Sequence, residues 1–279
     1  MYQAKAQGRD RAVRFDRSMR DAVVERIRTE TDLRRAIENG QFEVHYQPEF
    51  VLDSGQIVGA EALLRWHHPE RGLLTAGAFI ALVEETGLVV DVGRWVLGEA
   101  TMQAARWVRD GHDIIIRVNL SARQLRSAIV GEVQQALSAA ALAPERLCLE
   151  LTETAIMDDV QESARILQEF RDLGVQVAID DFGTGFSSLA YLKRFPVDIL
   201  KIDRTFVDGV GVDPDDTAIV RSVIGLARTL RLEVVAEGIE DQTQIAELVR
   251  LGCNRGQGFH LARPAPPAEI EMLLAGSPE

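Results

Sequence analysis

Short apolar runs alternate with longer amphipathic stretches along most of the chain. Residues 42–47, 57–64, 114–120, 147–151, 175–179, 199–202, 234–236 and 256–261 have the length and apolar density of buried strands. Between most of them lie segments with apolar residues at helical spacing: 79–86 with 92–109, then 122–141, 160–173, 218–230 and 243–251. The first two runs are separated mainly by Asp53, Ser54 and Gly55, a hairpin-like turn. That pair is therefore expected to be antiparallel, and the later strands to cross over through helices. The fold expected is an α/β barrel, a (β/α)8 TIM-like barrel with an antiparallel first strand. Upstream, Ala22, Val23, Ile27, Leu33, Ala36 and Ile37 predict a connecting helix over 21–39, stopped by Gly40. Residues 1–20 before it are basic and polar.

Composition narrows the partners. With 279 residues and 46% hydrophobic positions the chain can bury a full core. Against 31 Lys and Arg stand 43 Asp and Glu, a formal charge of −12, which repels a nucleic acid polymer. A small anion remains admissible if divalent cations sit among the carboxylates and dominate the local field. Cys148 and Cys253 form no paired metal spacing and suit a reducing cytosol, so a cytoplasmic location is expected. No apolar run approaches the ~18 residues of a membrane span, and the opening Met1-Tyr2-Gln3-Ala4-Lys5 has no signal-like apolar core. No membrane contact by this chain is expected.

Most of the strands end in polar residues that a buried strand would not choose: Glu61, Asn119, Glu150, Asp180 with Asp181, Lys201, Glu237 and Gln257. Any one of them reads equally well as a solvated strand end or a helix cap. In a parallel barrel, however, the C-terminal strand ends share one face, so these residues would converge there. Carboxylates gathered in one mouth either protonate or hold divalent cations, and Asp, Glu and an Asn carbonyl are hard oxygen ligands suited to Mg²⁺ or Mn²⁺. Adjacent strand residues face opposite ways, so Asp180 and Asp181 can share a site only if the strand bends, which Gly183 and Gly185 would permit. An aspartate shared between two cations is the arrangement two-metal phosphoester hydrolysis needs.

Alternation places Glu61, Leu63 and Arg65 on one face of their strand, a metal ligand, an apolar contact and a phosphate-binding guanidinium in line. For Arg65 a surface ion pair is the competing reading. Lys201, with Asp203 two residues on, admits a Schiff-base nucleophile or a charged amine that orients the attacking water. Surrounding carboxylates favour the second, because they keep the amine protonated. The glycine segment 183–188 is read either as a plain turn or as a mobile loop beside the metals. No zincin, serine-hydrolase, dinucleotide or Walker signature is present.

Taken together, these residues resemble the EAL-type cyclic di-GMP phosphodiesterases. The matching stretches are Tyr46-Gln47-Pro48, Glu61-Ala62-Leu63-Leu64-Arg65-Trp66, His68-Pro69, Val118-Asn119-Leu120-Ser121, Glu150-Leu151-Thr152-Glu153, Asp180-Asp181-Phe182-Gly183-Thr184-Gly185, Leu200-Lys201-Ile202-Asp203, Ala236-Glu237-Gly238 and Gln257-Gly258. The resemblance implies an EAL domain over 33–275 that opens cyclic di-GMP to linear pGpG with two Mg²⁺ or Mn²⁺ ions. Glu61, Asn119, Glu150 and Asp180 would hold one ion, and Asp180, Asp181 and Glu237 the second, with Gln257 acting through a water. Lys201, Glu237 and Glu61 would form the catalytic set, and Gln47, Leu63, Arg65, Asp203 and Glu240 the substrate contacts. Glu153 would anchor the loop over 181–189, which the resemblance places near a homodimer contact.

Such proteins usually carry prolines near Ala76 and Ala81, Thr at Asp241, Asp at Asn254 and Tyr at Phe259, departures that touch the periphery rather than the metal ligands. Residues 1–20 resemble the tail of a diguanylate cyclase (GGDEF) domain without its signature loop, so an upstream GGDEF or sensor domain is expected in a longer protein. Two other functions compete. One is a non-catalytic cyclic di-GMP receptor, in which one or more of the carboxylates or the lysine would be missing. The other is a Schiff-base lyase built on Lys201.

Overall fold

The structure is a computed structural model that describes residues 17–183, 192 and 194–276, with side chains from Arg28 onward. The expected cyclase-like tail falls largely outside the described residues, as does the glycine segment beyond Gly183. The strands are β1 (Phe42–Val51), β2 (Ile57–His68), β3 (Gly72–Thr75), β4 (Ile115–Asn119), β5 (Leu147–Thr152), β6 (Gln176–Phe182), β7 (Ile199–Ile202), β8 (Glu233–Ala236) and β9 (Arg255–Gly256). Their neighbour order, β1-β9-β8-β7-β6-β5-β4-β2, closes through a β1–β2 pairing, and β3 hangs on the outside of β2. β1 runs antiparallel to both β2 and β9, while β2 and β4 through β9 are mutually parallel around the ring. The barrel with an antiparallel first strand is thus the observed fold.

Strand alternation explains how it holds together. In β5, Leu147, Leu149 and Leu151 are fully buried against the helices, whereas Cys148 and Glu150 point to the barrel axis. The outer layer joins the main core, with Val92, Val96 and Ala100 of α3 (Val89–Arg109) packed over the strands. A second, small apolar cluster of Cys148, Ala178, Ile199 and Val235, with Ile115 against it, fills the barrel axis. Glu150, Asp180, Lys201 and Glu237 stand two residues further along four of those strands, so the axis changes from apolar to ionic within one pleat.

The remaining described helices are α1 (Arg17–Glu38), α2 (Ile80–Thr86), α4 (Ala128–Ala140), α5 (Glu153–Met157), α6 (Val160–Leu173), α7 (Arg204–Val207), α8 (Pro214–Leu230), α9 (Gln242–Leu251) and α10 (Pro267–Gly276). Several boundaries differ from expectation, and one strand is additional. Helix α4 starts at Ala128, not 122, because the Gln124 side chain folds back onto the Ser121 amide and makes 121–127 a set of turns. Helix α8 starts earlier, since Asp213 accepts from the Asp215 and Asp216 amides and Pro214 fits the first turn. Of the last run, 256–261, only Gly256 is strand, in β9 with Arg255 before it, and Gly258 lies so close to Ile239 that a Cβ there would sit 2.2 Å from its backbone. Strand β3, four mostly exposed residues without apolar alternation, left no signal in the sequence.

Candidate active site

The barrel brings Glu61, which lies within β2 and not at its end as expected, and residues from six other strands and strand exits to one point. Lys201 is fully buried, and its Nζ lies 2.6 Å from Glu237 Oε1, 2.7 Å from Glu150 Oε2, 3.5 Å from Asp180 Oδ1 and 3.6 Å from Glu61 Oε2. Asn119 Nδ2 donates to Glu61 Oε1 at 2.7 Å, which leaves its carbonyl oxygen for another partner. Gln257 Nε2 donates to Glu61 Oε2 at 2.6 Å and to Glu237 Oε1 at 3.0 Å. Residues drawn from β2, β4, β5, β6, β7 and the ends of β8 and β9 therefore form one ring around an ammonium group.

One positive charge serves four carboxylates, and the directions in which the pKa values of the ring shift follow from that shortfall and from burial. Burial disfavours a charged Lys201, but Glu150, Glu237, Glu61 and Asp180 together raise its pKa well above the ordinary lysine value. Burial works against an ionised Glu61 as well, yet Lys201 and the Gln257 and Asn119 hydrogen bonds bring its pKa below the usual carboxylate value. Glu150 and Glu237 fare differently: burial lifts Glu150 well above normal and Glu237 to about 8, despite Lys201. More positive charge would be needed to ionise the whole ring.

Asp181 joins the ring by a backbone device that the glycines alone would not have supplied. Its φ is +54°, and the β6–β7 register shifts between Ile179 and Phe182. A left-handed aspartate at a strand end turns its carboxylate back beside that of Asp180, a conformation of modest strain that Asp tolerates better than most residues. Gly183, at φ +101°, continues the turn. Burial, Asp180 and Asp203 raise the Asp181 pKa to about 6. Asp180, Asp181 and Glu237 offer carboxylate oxygens within 4.8 Å of one another. Buried Glu150 Oε1 and Gln257 Oε1 have no hydrogen-bond partner. Hard oxygen donors, excess negative charge and orphaned acceptors in one pocket fit divalent cations.

Of the expected substrate contacts, Leu63 lines the cavity beside this ring, and the others are engaged in contacts of their own. Leu63 walls a cavity of about 370 Å³ together with Ile80, Val92, Asn119, Asp180 and Asp181. Gln47 donates to the Ala262 carbonyl at 3.2 Å, and Arg65, buried, donates to the Leu64 carbonyl at 3.0 Å. Arg65 faces Glu43 across the hairpin, and Glu43 in turn meets His67 Nε2 at 2.5 Å. Asp203 caps α7 through the Thr205 amide at 3.0 Å, so a structural duty accompanies its place beside Asp181. Glu240 is half exposed and pairs with Arg204 Nη2 at 2.5 Å. Glu153 begins α5, and most of the loop it was expected to anchor lies outside the described residues.

Arg117 and Glu49, not among the expected site residues, are fully buried beneath the ring and joined by a two-point ion pair. The signal for them lies in the sequence: each is charged and stands two residues from an expected site residue, Arg117 before Asn119 and Glu49 after Gln47.

Comparison with known proteins shows the family and the fold. The EAL domain family profile matches residues 30–264. MucR of Pseudomonas aeruginosa, a bifunctional diguanylate cyclase and cyclic di-GMP phosphodiesterase, is 48% identical over 277 residues, 99% of this chain and 40% of that protein. The cyclic di-GMP phosphodiesterase PdeR of Escherichia coli is 39% identical over 272 residues, 97% of this chain and 41% of that protein. The phosphodiesterase of MucR, solved with c-di-GMP, superposes with a TM-score of 0.85 at 48% identity, covering 87% of this chain and 99% of that one. The EAL enzyme Bd1971, solved with cAMP and cyclic di-GMP, gives 0.86 at 33% identity, covering 91% and 70%. The chain spans about two fifths of the length of MucR and PdeR.

Proposed function

The chain belongs to the EAL domain family, and on that premise we propose that it is a phosphodiesterase that hydrolyses cyclic di-GMP to linear pGpG with two divalent cations, Mg²⁺ or Mn²⁺. The observation that carries the reading is the buried ring itself: four carboxylates converge on the Lys201 ammonium, with Glu150 Oε1 and Gln257 Oε1 left unpaired. Glu61, Asn119, Glu150 and Asp180 would hold one cation. Asp180, Asp181 and Glu237 would hold the other, with Gln257 acting through a water. The cations would supply charge neutralisation at the scissile phosphate and a nucleophilic hydroxide at neutral pH.

The chain's own residues do the rest. Lys201, whose pKa the surrounding carboxylates raise, orients or deprotonates the attacking water, and as an ammonium it stabilises negative charge building on the phosphoryl oxygens. The same raised pKa argues against the Schiff-base lyase. Arg65 and Gln47 bind the phosphate and sugar, Leu63 packs on a base, and Asp203 and Glu240 contact substrate from the opposite rim. Water adds to phosphorus, one ribose oxygen leaves with a proton, and the ring opens to pGpG. Every carboxylate and the lysine stand in place, which favours the enzyme over a non-catalytic receptor. The reading carries with it a cytoplasmic setting, a homodimer with Glu153 linking the 181–189 loop to association, and upstream GGDEF or sensor domains. Among the described residues no helix is long and apolar enough to cross a membrane.

The test is chromatographic detection of pGpG from cyclic di-GMP with Mg²⁺ or Mn²⁺, beside EDTA and Glu61→Ala controls. Metal-dependent product that disappears in the variant is expected. Tight binding without turnover would instead establish the receptor, and neither binding nor turnover would refute the assignment.

A further inference from the structure

The barrel axis below the ring is apolar on one side and ionic on the other. Cys148, Ala178, Ile199, Val235 and Ile115 fill one side with small apolar groups. On the other, Arg117 of β4 reaches Glu49 of β1 with two nitrogens, Nε to Oε2 and Nη2 to Oε1 at 2.8 Å, both residues being inaccessible to solvent. To do so the side chain passes β2 at Gly59, where a Cβ would lie 2.9 Å from the Ile115 carbonyl and 3.9 Å from Arg117 Nε. The pair therefore spans three neighbouring strands, β4, β2 and β1.

Those strands meet at the irregular part of the barrel. β1 is antiparallel, and it closes on β9 through only two residue pairs, Phe50 with Gly256 and Val51 with Arg255. Arg255 Nη1 lies 3.8 Å from Glu49 Oε1 and 2.8 Å from Glu233 Oε2, which extends the ionic contacts across that seam. Arg117 is also in register with Glu61, and Glu49 lies two residues from Gln47, the residue opposite Glu61. Glu61 on β2 and Gln257 just after β9 thus sit on strands that this pair and its Arg255 contact join to β4, beside the direct hydrogen bonds of Glu61 to Asn119 and Gln257.

Stability alone does not account for it. Replacing a buried ion pair with well-packed apolar residues is commonly neutral or stabilising, and here Arg117 Nη1 is also buried without a hydrogen-bond partner. An apolar pair would have closed the axis as the other side does.

We propose that the Arg117–Glu49 pair is a positioning device for the cation-binding ring, fixing the β1–β2 hairpin against β4 and β9 so that Glu61 and Gln257 stand at the right separation from Asn119 and Glu150. The inference rests on the ring being a cation site. Arg117 and Glu49 act through those ligands and touch neither cation nor substrate.

The test compares wild type, Arg117→Met/Glu49→Leu and Arg117→Lys by calorimetric Mn²⁺ titration, by melting in EDTA and by turnover against Mn²⁺ concentration. The double variant is expected to melt at or above wild type in EDTA. Its Mn²⁺ dissociation constant should rise about 10- to 100-fold, the usual effect of removing a residue that orients metal ligands. Its kcat at saturating Mn²⁺ should stay within a few-fold of wild type, because the ligands themselves remain. Arg117→Lys keeps the charge without the two-point grip and should fall between. Wild-type Mn²⁺ affinity in the double variant, or in Arg117→Lys if the double variant does not fold, would overturn the proposal. A wild-type protein that binds no Mn²⁺ would overturn the cation reading first.

Discussion

Replacing Lys201 with methionine removes the one cation at the centre of the ring while leaving a side chain of similar length. In wild type that ammonium lies within 3.6 Å of an oxygen from each of Glu61, Glu150, Asp180 and Glu237, all of them shielded from solvent or nearly so. Breaking a buried ion pair by deleting one partner costs about 3–5 kcal/mol, because an uncompensated charge stays behind. For a domain of this size that corresponds to a fall of roughly 6–20 °C in Tm, at ~2–4 °C per kcal/mol. Part of the cost can be escaped by protonating Glu150 and Glu237, so Lys201→Met in EDTA should lose more stability at pH 8.5 than at pH 6. Saturating Mg²⁺ or Mn²⁺ should recover much of it, since a cation at ~100 times its Kd contributes about 2.7 kcal/mol. Turnover should fall about 10²–10³-fold, the scale for losing one transition-state donor, with KM for cyclic di-GMP changed only a few-fold. Differential scanning calorimetry at the two pH values and single-substrate kinetics read all of this. A variant as stable as wild type in EDTA at pH 8.5 would refute the electrostatic account of the ring. Equal losses in binding and turnover would refute the role of Lys201 in the transition state.

Glu61→Ala and Asp180→Ala should each abolish pGpG formation while remaining folded by circular dichroism, and unchanged rates would exclude both as ligands. In EDTA, wild-type stability should fall as pH rises from about 4 to about 8: Glu237 and Asp181 keep their protons to about 8 and about 6 when folded, so the native state binds more protons than the unfolded chain across that window. Denaturant midpoints should show this slope, and saturating metal should flatten it. Asp181→Asn keeps the side chain that tolerates φ +54° but removes a repelled charge, so it should raise the metal-free Tm and lower turnover, a trade visible by pairing melting with kinetics. Gly258→Ala would drive a Cβ into the Ile239 backbone and should cost at least about 2 kcal/mol in chemical denaturation.

Much of this protein is local and therefore legible along the chain. A period of two set which face of each strand meets the helices, as Leu147, Leu149 and Leu151 show against Cys148 and Glu150. The Asp53-Ser54-Gly55 turn was enough to predict that the first strand runs against the rest, and polar residues at the ends of apolar strands were enough to pick out the mouth. Those signals depend only on neighbours a few residues away.

What the tertiary structure alone decided are relations between residues far apart in sequence. Lys201 could be picked out along the chain, but which carboxylates surround it, and that Glu237 and Glu150 lie within 2.7 Å of its Nζ, follows only from barrel closure. The bend that brings Asp181 beside Asp180 was expected, but its form, a left-handed Asp181 where β6 slips against β7, appears only in the folded barrel. Glu49 and Arg117 are separated by 68 residues and meet only because the hairpin folds back across Gly59. Electrostatic energy depends on distance in space and on the loss of solvent, and both are set by the closed barrel.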